Sequence, residues 1–160
     1  MRPLMRYLLL AMVVAASAGC GKEIGDACVV SSDCSPSGDR QCDASQEGGY
    51  CTVMGCDYST CPDEAVCVRF FTGGFTNRSC ENSADECSLD ELCDINKRCV
   101  PRSSEIRYCM KTCSSNDDCR SGYECRDLPK MKSHGGEPVL EPGTPIDSSS
   151  PKFCAIAPAT

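Results

Sequence analysis

Cysteine constrains this chain more than any other residue. It fills seventeen of 160 positions, about 11 %, above the roughly 8–10 % that marks a disulfide scaffold. A reducing cytosol does not sustain such a framework, so the mature chain belongs outside the cytoplasm. The sequence has no Trp, four Phe and five Tyr. A segment of about thirty residues with so few large side chains buries too little apolar surface to offset chain entropy. Disulfides compensate by restricting the unfolded chain, by roughly 2–4 kcal/mol each.

Sixteen of the cysteines divide into four groups: Cys28, Cys34, Cys42, Cys51; then Cys56, Cys61, Cys67, Cys80; then Cys87, Cys93, Cys99, Cys109; then Cys113, Cys119, Cys125, Cys154. The spacing C-x5-C-x5-C occurs in the third and fourth groups, and the first two differ from it by one or two residues. Asp precedes the second Cys in the first and last groups, at Asp33 and Asp118, where its side chain favours a turn. The expected fold is small and disulfide-rich, with tandem short β-hairpin and turn modules and little regular secondary structure. The expected modules are 28–55, 56–86, 87–112 and 113–160. A division that starts the third module one Cys earlier, at Cys80, is the alternative. Four Cys allow three connectivities per module, and spacing does not choose among them.

The N-terminus reads as an export signal. Arg2 and Arg6 precede an unbroken apolar run from Tyr7 to Ala16, the build of a secretory signal over residues 1–19. The run is shorter than the roughly 20 apolar residues that span a bilayer. Ala16-Ser17-Ala18 fits an ordinary peptidase site ahead of Gly19, whereas Ser17-Ala18-Gly19-Cys20 resembles a bacterial lipobox. The usual lipobox has Leu where this chain has Ser17. Parity favours the lipobox. Seventeen is odd, and a leftover Cys in an exported protein needs a role. With Cys20 lipidated, sixteen remain for eight disulfides, and residues 20–27 form a lipidated tether. A lipoprotein's several acyl chains hold a membrane stably where one does not. Gly21 rather than Asp after the lipidated Cys implies, by the enteric sorting rule, the outer membrane.

The run Cys109-x3-Cys113-x5-Cys119-Arg120-Ser121-Gly122-Tyr123-Glu124-Cys125 resembles repeats in cysteine-rich lipoproteins of myxobacterial type. It is also similar to the N-terminal cysteine-rich domain of Dickkopf proteins and to nematode EB modules. The resemblance implies an extracellular interaction module and names no ligand.

Two segments stand apart. Residues 68–77 read as a β-hairpin with Gly73-Gly74 at its turn, and carry Phe70, Phe71 and Phe75. These three, with Tyr123, are the candidate contact residues for a partner; local core is the competing role for the Phe. Residues 127–152 lack Cys and are rich in Pro, Gly and Ser, so a long flexible loop is expected there.

Little in the chain suggests chemistry. His134, the one His, falls in that expected loop, whereas a catalytic base needs a fixed nucleophile beside it. No C-x2-C is present for zinc or thiol redox, and no phosphate-binding glycine loop. Asp85-Glu86, Asp90-Glu91 and Asp117-Asp118 offer oxygens to Ca²⁺ without EF-hand spacing. Net charge is −7, and loss of Arg2 and Arg6 makes the mature chain more acidic, against nucleic-acid binding. No cofactor and no metal are expected. The expected function is an exported, lipid-anchored surface protein, non-enzymatic, attached to the membrane through lipid and binding a protein or glycan. The alternative is a stapled protease inhibitor presenting Arg98 or Arg107.

Overall fold

The computed structural model describes residues 21–73, 78–81 and 86–159. The signal segment 1–19, Cys20, Gly74, Phe75 and Asp85 lie outside the described residues. The fold is small and disulfide-rich, with two short helices and small antiparallel strand pairs among the described residues.

All sixteen cysteines after Cys20 are paired, in crossed couples. Cys28 bonds Cys42 and Cys34 bonds Cys51. Cys56 bonds Cys67 and Cys61 bonds Cys109. Cys80 bonds Cys93 and Cys87 bonds Cys99. Cys113 bonds Cys125 and Cys119 bonds Cys154. In every quartet the first Cys meets the third and the second meets the fourth.

Strand register follows the same rule. Cys42 in β1 (Gln41–Cys42) faces Cys51 in β2 (Cys51–Thr52). Cys67 in β3 (Ala65–Phe71) faces Cys109 in β6 (Glu105–Lys111). Cys93 in β4 (Glu91–Cys93) faces Cys99 in β5 (Cys99–Pro101). Cys125 in β7 (Tyr123–Arg126) faces Cys154 in β9 (Phe153–Ile156). Each quartet is therefore an antiparallel ribbon carrying its third and fourth Cys side by side, with the first two Cys stapled onto it.

The segment from first to second Cys has its own device. It is too short for a backbone ladder, so a side chain must satisfy its donors. The residue just before the second Cys accepts the N–H of the residue just after the first. Thr60 Oγ1 accepts from Asp57 at 2.8 Å, Asp33 Oδ2 from Val29 at 2.8 Å, Asp118 Oδ2 from Ser114 at 2.7 Å, and a Glu86 carboxylate oxygen from Glu81. Side-chain reach grows with the gap: Thr serves the C-x4-C quartet, Asp the two C-x5-C quartets and Glu the C-x6-C quartet. The backbone N–H bonds hold the Asp33 and Asp118 carboxyls below their ordinary range.

This pairing corrects the expected boundaries 56–86 and 87–112. Cys80 belongs with Cys87, Cys93 and Cys99, and Cys109 closes the quartet begun at Cys56. The third quartet is an insertion within the ribbon of the second. The expected hairpin 68–77 is corrected for the same reason. The seven residues of β3 pair with the seven of β6 from Ala65↔Lys111 to Phe71↔Glu105, so this partner strand comes from beyond quartet three, and residues 74–77 of the expected hairpin lie outside the described residues. A local turn signal lost to a longer partner strand with a disulfide in register. On its other edge β3 pairs with β8 (Glu137–Pro138), giving the sheet order β6-β3-β8.

Residues 20–27 are not a tether over their described part. Ile24 is fully buried, the Gly25 N–H donates to Cys51 O, and the Cys51 N–H donates to Asp26 O, both at 2.9 Å. Burial of Ile24 and pairing to β2 fix this stretch. Nor is 127–152 one flexible loop. Leu128–His134 is a helix whose cap, Asp127, accepts the Lys130 N–H at 3.2 Å. Met131, Glu137 and Pro138 are buried. The apolar core joins the ribbons of quartets two and four, through Val68, Met110, Tyr123, Met131 and Phe153, with Ile24 and Tyr50 from the N-terminal part.

A candidate binding cleft

The inserted quartet meets the sheet through one carboxylate. Glu137 lies opposite Arg69 across β8 and β3, and Arg69 Nε donates to its Oε1 at 2.6 Å. Its Oε2 accepts the Ile95 N–H at 2.7 Å, from the turn between β4 and β5. Glu137 is 2 % exposed. Burial pushes its carboxyl above the ordinary value, although the charge and hydrogen bond of Arg69 and the Ile95 N–H pull the other way.

Beside this joint is a cleft of about 150 Å³. Phe70 and Phe71 from β3, Ile95 and Asn96 from the inserted quartet, and Met131 and His134 from the helix line it. Phe70 packs edge-on to Phe153, with centroids 6.3 Å apart. The Arg69 guanidinium sits 5.9 Å from the centre of Phe71. Gly136 makes the close approach possible: its φ is +80°, and a Cβ there would fall 2.7 Å from Phe70 Cε1 and 2.9 Å from Phe153 Cζ.

His134 is held rather than loose. Its Nδ1 is 2.6 Å from Glu124 Oε1. Arg126 Nε donates to the same oxygen at 3.1 Å, and its Nη1 caps the helix end by donating to His134 O and Gly135 O, at 2.9 and 2.8 Å. Burial pushes the Glu124 carboxyl up, but the hydrogen bonds from His134 and Arg126 outweigh it and the group lies below its ordinary value. For Arg126 burial wins over the Glu124 carboxylate, and the guanidinium is lowered. Among the described residues that line the cleft, none carries a hydroxyl or thiol. Small-molecule sites run to roughly 300–1,000 Å³, larger than this one.

Of the expected contacts, Phe70 and Phe71 meet in the cleft, both half-buried, and Phe70 also serves as core. Tyr123 is corrected. It is 8 % exposed, stacked on Tyr50 at 5.5 Å, and covered by the Arg120 guanidinium at 4.2 Å. That cluster joins quartets one and four: the Tyr50 hydroxyl donates to Cys154 O at 3.2 Å and accepts the Lys111 N–H at 3.0 Å. Burial pushes the Tyr50 phenol far above its usual value. Sequence reasoning missed His134 and Met131 as cleft residues alongside Phe70, and Glu124 as the partner of His134. The signals were present: Asp127 before the helix, Pro129 in its first turn, Lys132 and His134 in its last, and Gly135 after it.

Of the two arginines expected to face a protease, Arg98 lines the cleft and Arg107 does not. Asp94 Oδ2 accepts from the Arg98 guanidinium at 3.1 and 3.3 Å. Arg107 bonds Glu105 at 2.5 Å and Asp57 at 2.9 Å. Glu91 Oε2 accepts the Ser88 N–H at 2.9 Å and pairs with Arg78. The sulfur groups close enough to hold a metal ion are all disulfides. Among the described residues no helix is long and apolar enough to cross a membrane. The eight disulfides fit an extracellular or secreted protein. Comparison with known proteins found no matching family model, no similar curated protein and no similar solved structure.

Proposed function

We propose that this chain is an exported surface protein, anchored by lipid on Cys20, that binds a protein partner without catalysis. One observation carries the reading. Every cysteine after Cys20 is consumed within the chain, so Cys20 is left without an intrachain partner and lipid gives the odd sulfur a role. The four quartets, alike in pairing and register, serve as copies of one stapled unit. The cleft at Phe70 and Phe71 supports binding of a single apolar side chain on the partner's surface.

The deciding experiment is the intact mass of membrane-purified, unreduced protein after alkylation of free thiols. The expected species begins at Cys20, carries acyl chains and takes up no alkylating agent. A chain beginning at Gly19 with one alkylated thiol would overturn the anchor. Several alkylated thiols would overturn the closed scaffold.

A further inference from the structure

The described chain is fixed within one residue of Cys20. A Cβ on Gly21 would lie 2.9 Å from Cys34 O, so the backbone there runs against the end of the one-turn helix Ser31–Cys34. Lys22 Nζ donates to Ala27 O at 2.7 Å, the Arg40 guanidinium donates to Lys22 O, and the Ile24 N–H donates to Glu64 Oε1 at 3.3 Å. Nothing in this stretch is left to act as a spacer. Gly21 itself lies against quartet one.

The same corner exposes apolar surface. Val29 is 82 % and Val30 53 % exposed, and both N–H groups are bonded to Asp33, which fixes their backbone. Adjacent Cα atoms are about 3.8 Å apart and a helix rises about 1.5 Å per residue, so the path from Cys20 through Gly21 and Cys34 to Val30 is at most about 17 Å. The through-space distance is shorter. Val29 and Val30 thus belong to the same corner of the molecule as Gly21, the first described residue after the proposed anchor.

We infer that Val29 and Val30 form the membrane-contacting corner of the protein and that the anchored molecule stands on the bilayer through quartet one in a fixed orientation. The occupant of this apolar corner is thus a lipid surface. The inference rests on the proposed lipidation of Cys20 and goes beyond it, because an anchor on a loose spacer would impose no orientation. It also leaves the inserted quartet, with the fully exposed Leu89, and the cleft available to partners.

The absence of Trp gives a clean test. Val29→Trp and Leu89→Trp variants, each the sole fluorophore of its kind, are purified with their acyl chains and placed in zwitterionic phosphatidylcholine vesicles with brominated acyl chains. Lack of free thiols confirms folding, and Val30→Trp replaces Val29→Trp if that variant is misassembled. For Val29→Trp the emission is expected to shift to the blue and fall about twofold, as for a side chain about 5–10 Å into the interface. For Leu89→Trp it is expected not to change. Acylated, vesicle-bound protein in which the two variants respond alike overturns the fixed orientation and leaves the anchor standing. Protein without acyl chains by mass overturns the anchor and the orientation with it.

Discussion

The four quartets share one covalent plan but come in two kinds. In quartets one and three the ribbon is closed by short segments, 43–50 and 94–98. In quartets two and four the corresponding segments are 68–108 and 126–153. The short kind has almost no core of its own. Its buried apolar clusters are cysteines alone: Cys28, Cys34 and Cys51 in one, Cys80, Cys87 and Cys99 in the other. The wide kind supplies Val68, Met110, Met131 and Phe153 to a common core. Each short quartet is then fixed to that core by a buried polar joint, at Tyr50 for the first and Glu137 for the third. The same staple thus works with or without apolar burial, and what differs is how far a break should spread.

Removing disulfides tests this most severely. Replacing Cys61 and Cys109 with Ser opens a separation of 48 residues, worth about 4 kcal/mol by loop entropy, against about 3 kcal/mol for Cys87 and Cys99 at a separation of 12. The expected difference in extent is larger than the difference in energy. Loss of Cys61–Cys109 should raise amide exchange across β3, β6 and the common core. Loss of Cys87–Cys99 should raise it only within 80–99. Equal spreading in the two cases would break the distinction between self-contained and shared quartets.

A glycine pair sharpens it next. Gly136→Ala places a methyl against Phe70 and Phe153 at a positive φ, expected to cost about 3 kcal/mol from left-handed strain and overpacking together. Gly143→Ala shares the positive φ but meets nothing within 4 Å, expected to cost about 1 kcal/mol. Denaturant midpoints compare them. Similar costs would mean that the wide core yields at Gly136 and is looser than its packing implies.

The contrast between kinds also separates what was legible in the sequence from what was not. Disulfide richness, scarce regular structure and the Asp–Cys turns at Asp33 and Asp118 were readable, because each depends on a few adjacent residues. The nesting of 80–99 inside 56–109 was not. It depends on Cys61 reaching Cys109, a separation of 48 residues, and spacing carries no information about distant partners. Of the cleft, Phe70 and Phe71 were legible as aromatics in an otherwise aromatic-poor chain, whereas Glu137 and His134 lay in a segment whose Pro, Gly and Ser content masked a capped helix. Tyr123 looked like surface because its partners, Tyr50 and Arg120, come together only when quartets one and four dock.

The turn caps predict a smaller effect that crosses both kinds. Thr60→Ala removes the acceptor for the Asp57 N–H and is expected to cost about 1 kcal/mol. In quartet three, Glu86→Asp keeps the charge but withdraws the carboxylate from the Glu81 N–H, and should destabilise in the same direction. If Glu86→Asp is neutral by denaturant midpoint, the match of side-chain reach to loop length is incidental.

The two buried carboxylates give the subtlest test, because they titrate with opposite sign. Glu137 is raised by burial, so the folded state holds its proton more tightly than the unfolded chain does. That contribution is fully present below the ordinary Glu value of about 4.3 and is lost as pH rises through the elevated folded value. Glu124 is lowered, since His134 and Arg126 outweigh its burial. Its contribution is present above the ordinary value and is lost as pH falls through the lowered one. Glu137→Gln should therefore flatten the loss of stability on the upper side of that range, and Glu124→Gln should lessen the loss on the acid side. Only the first should alter exchange within 80–99, because Glu137 alone of the two bonds the inserted quartet, at the Ile95 N–H. An unchanged pH dependence of exchange in that quartet after Glu137→Gln would show that its attachment, like its core, rests on something other than this buried charge.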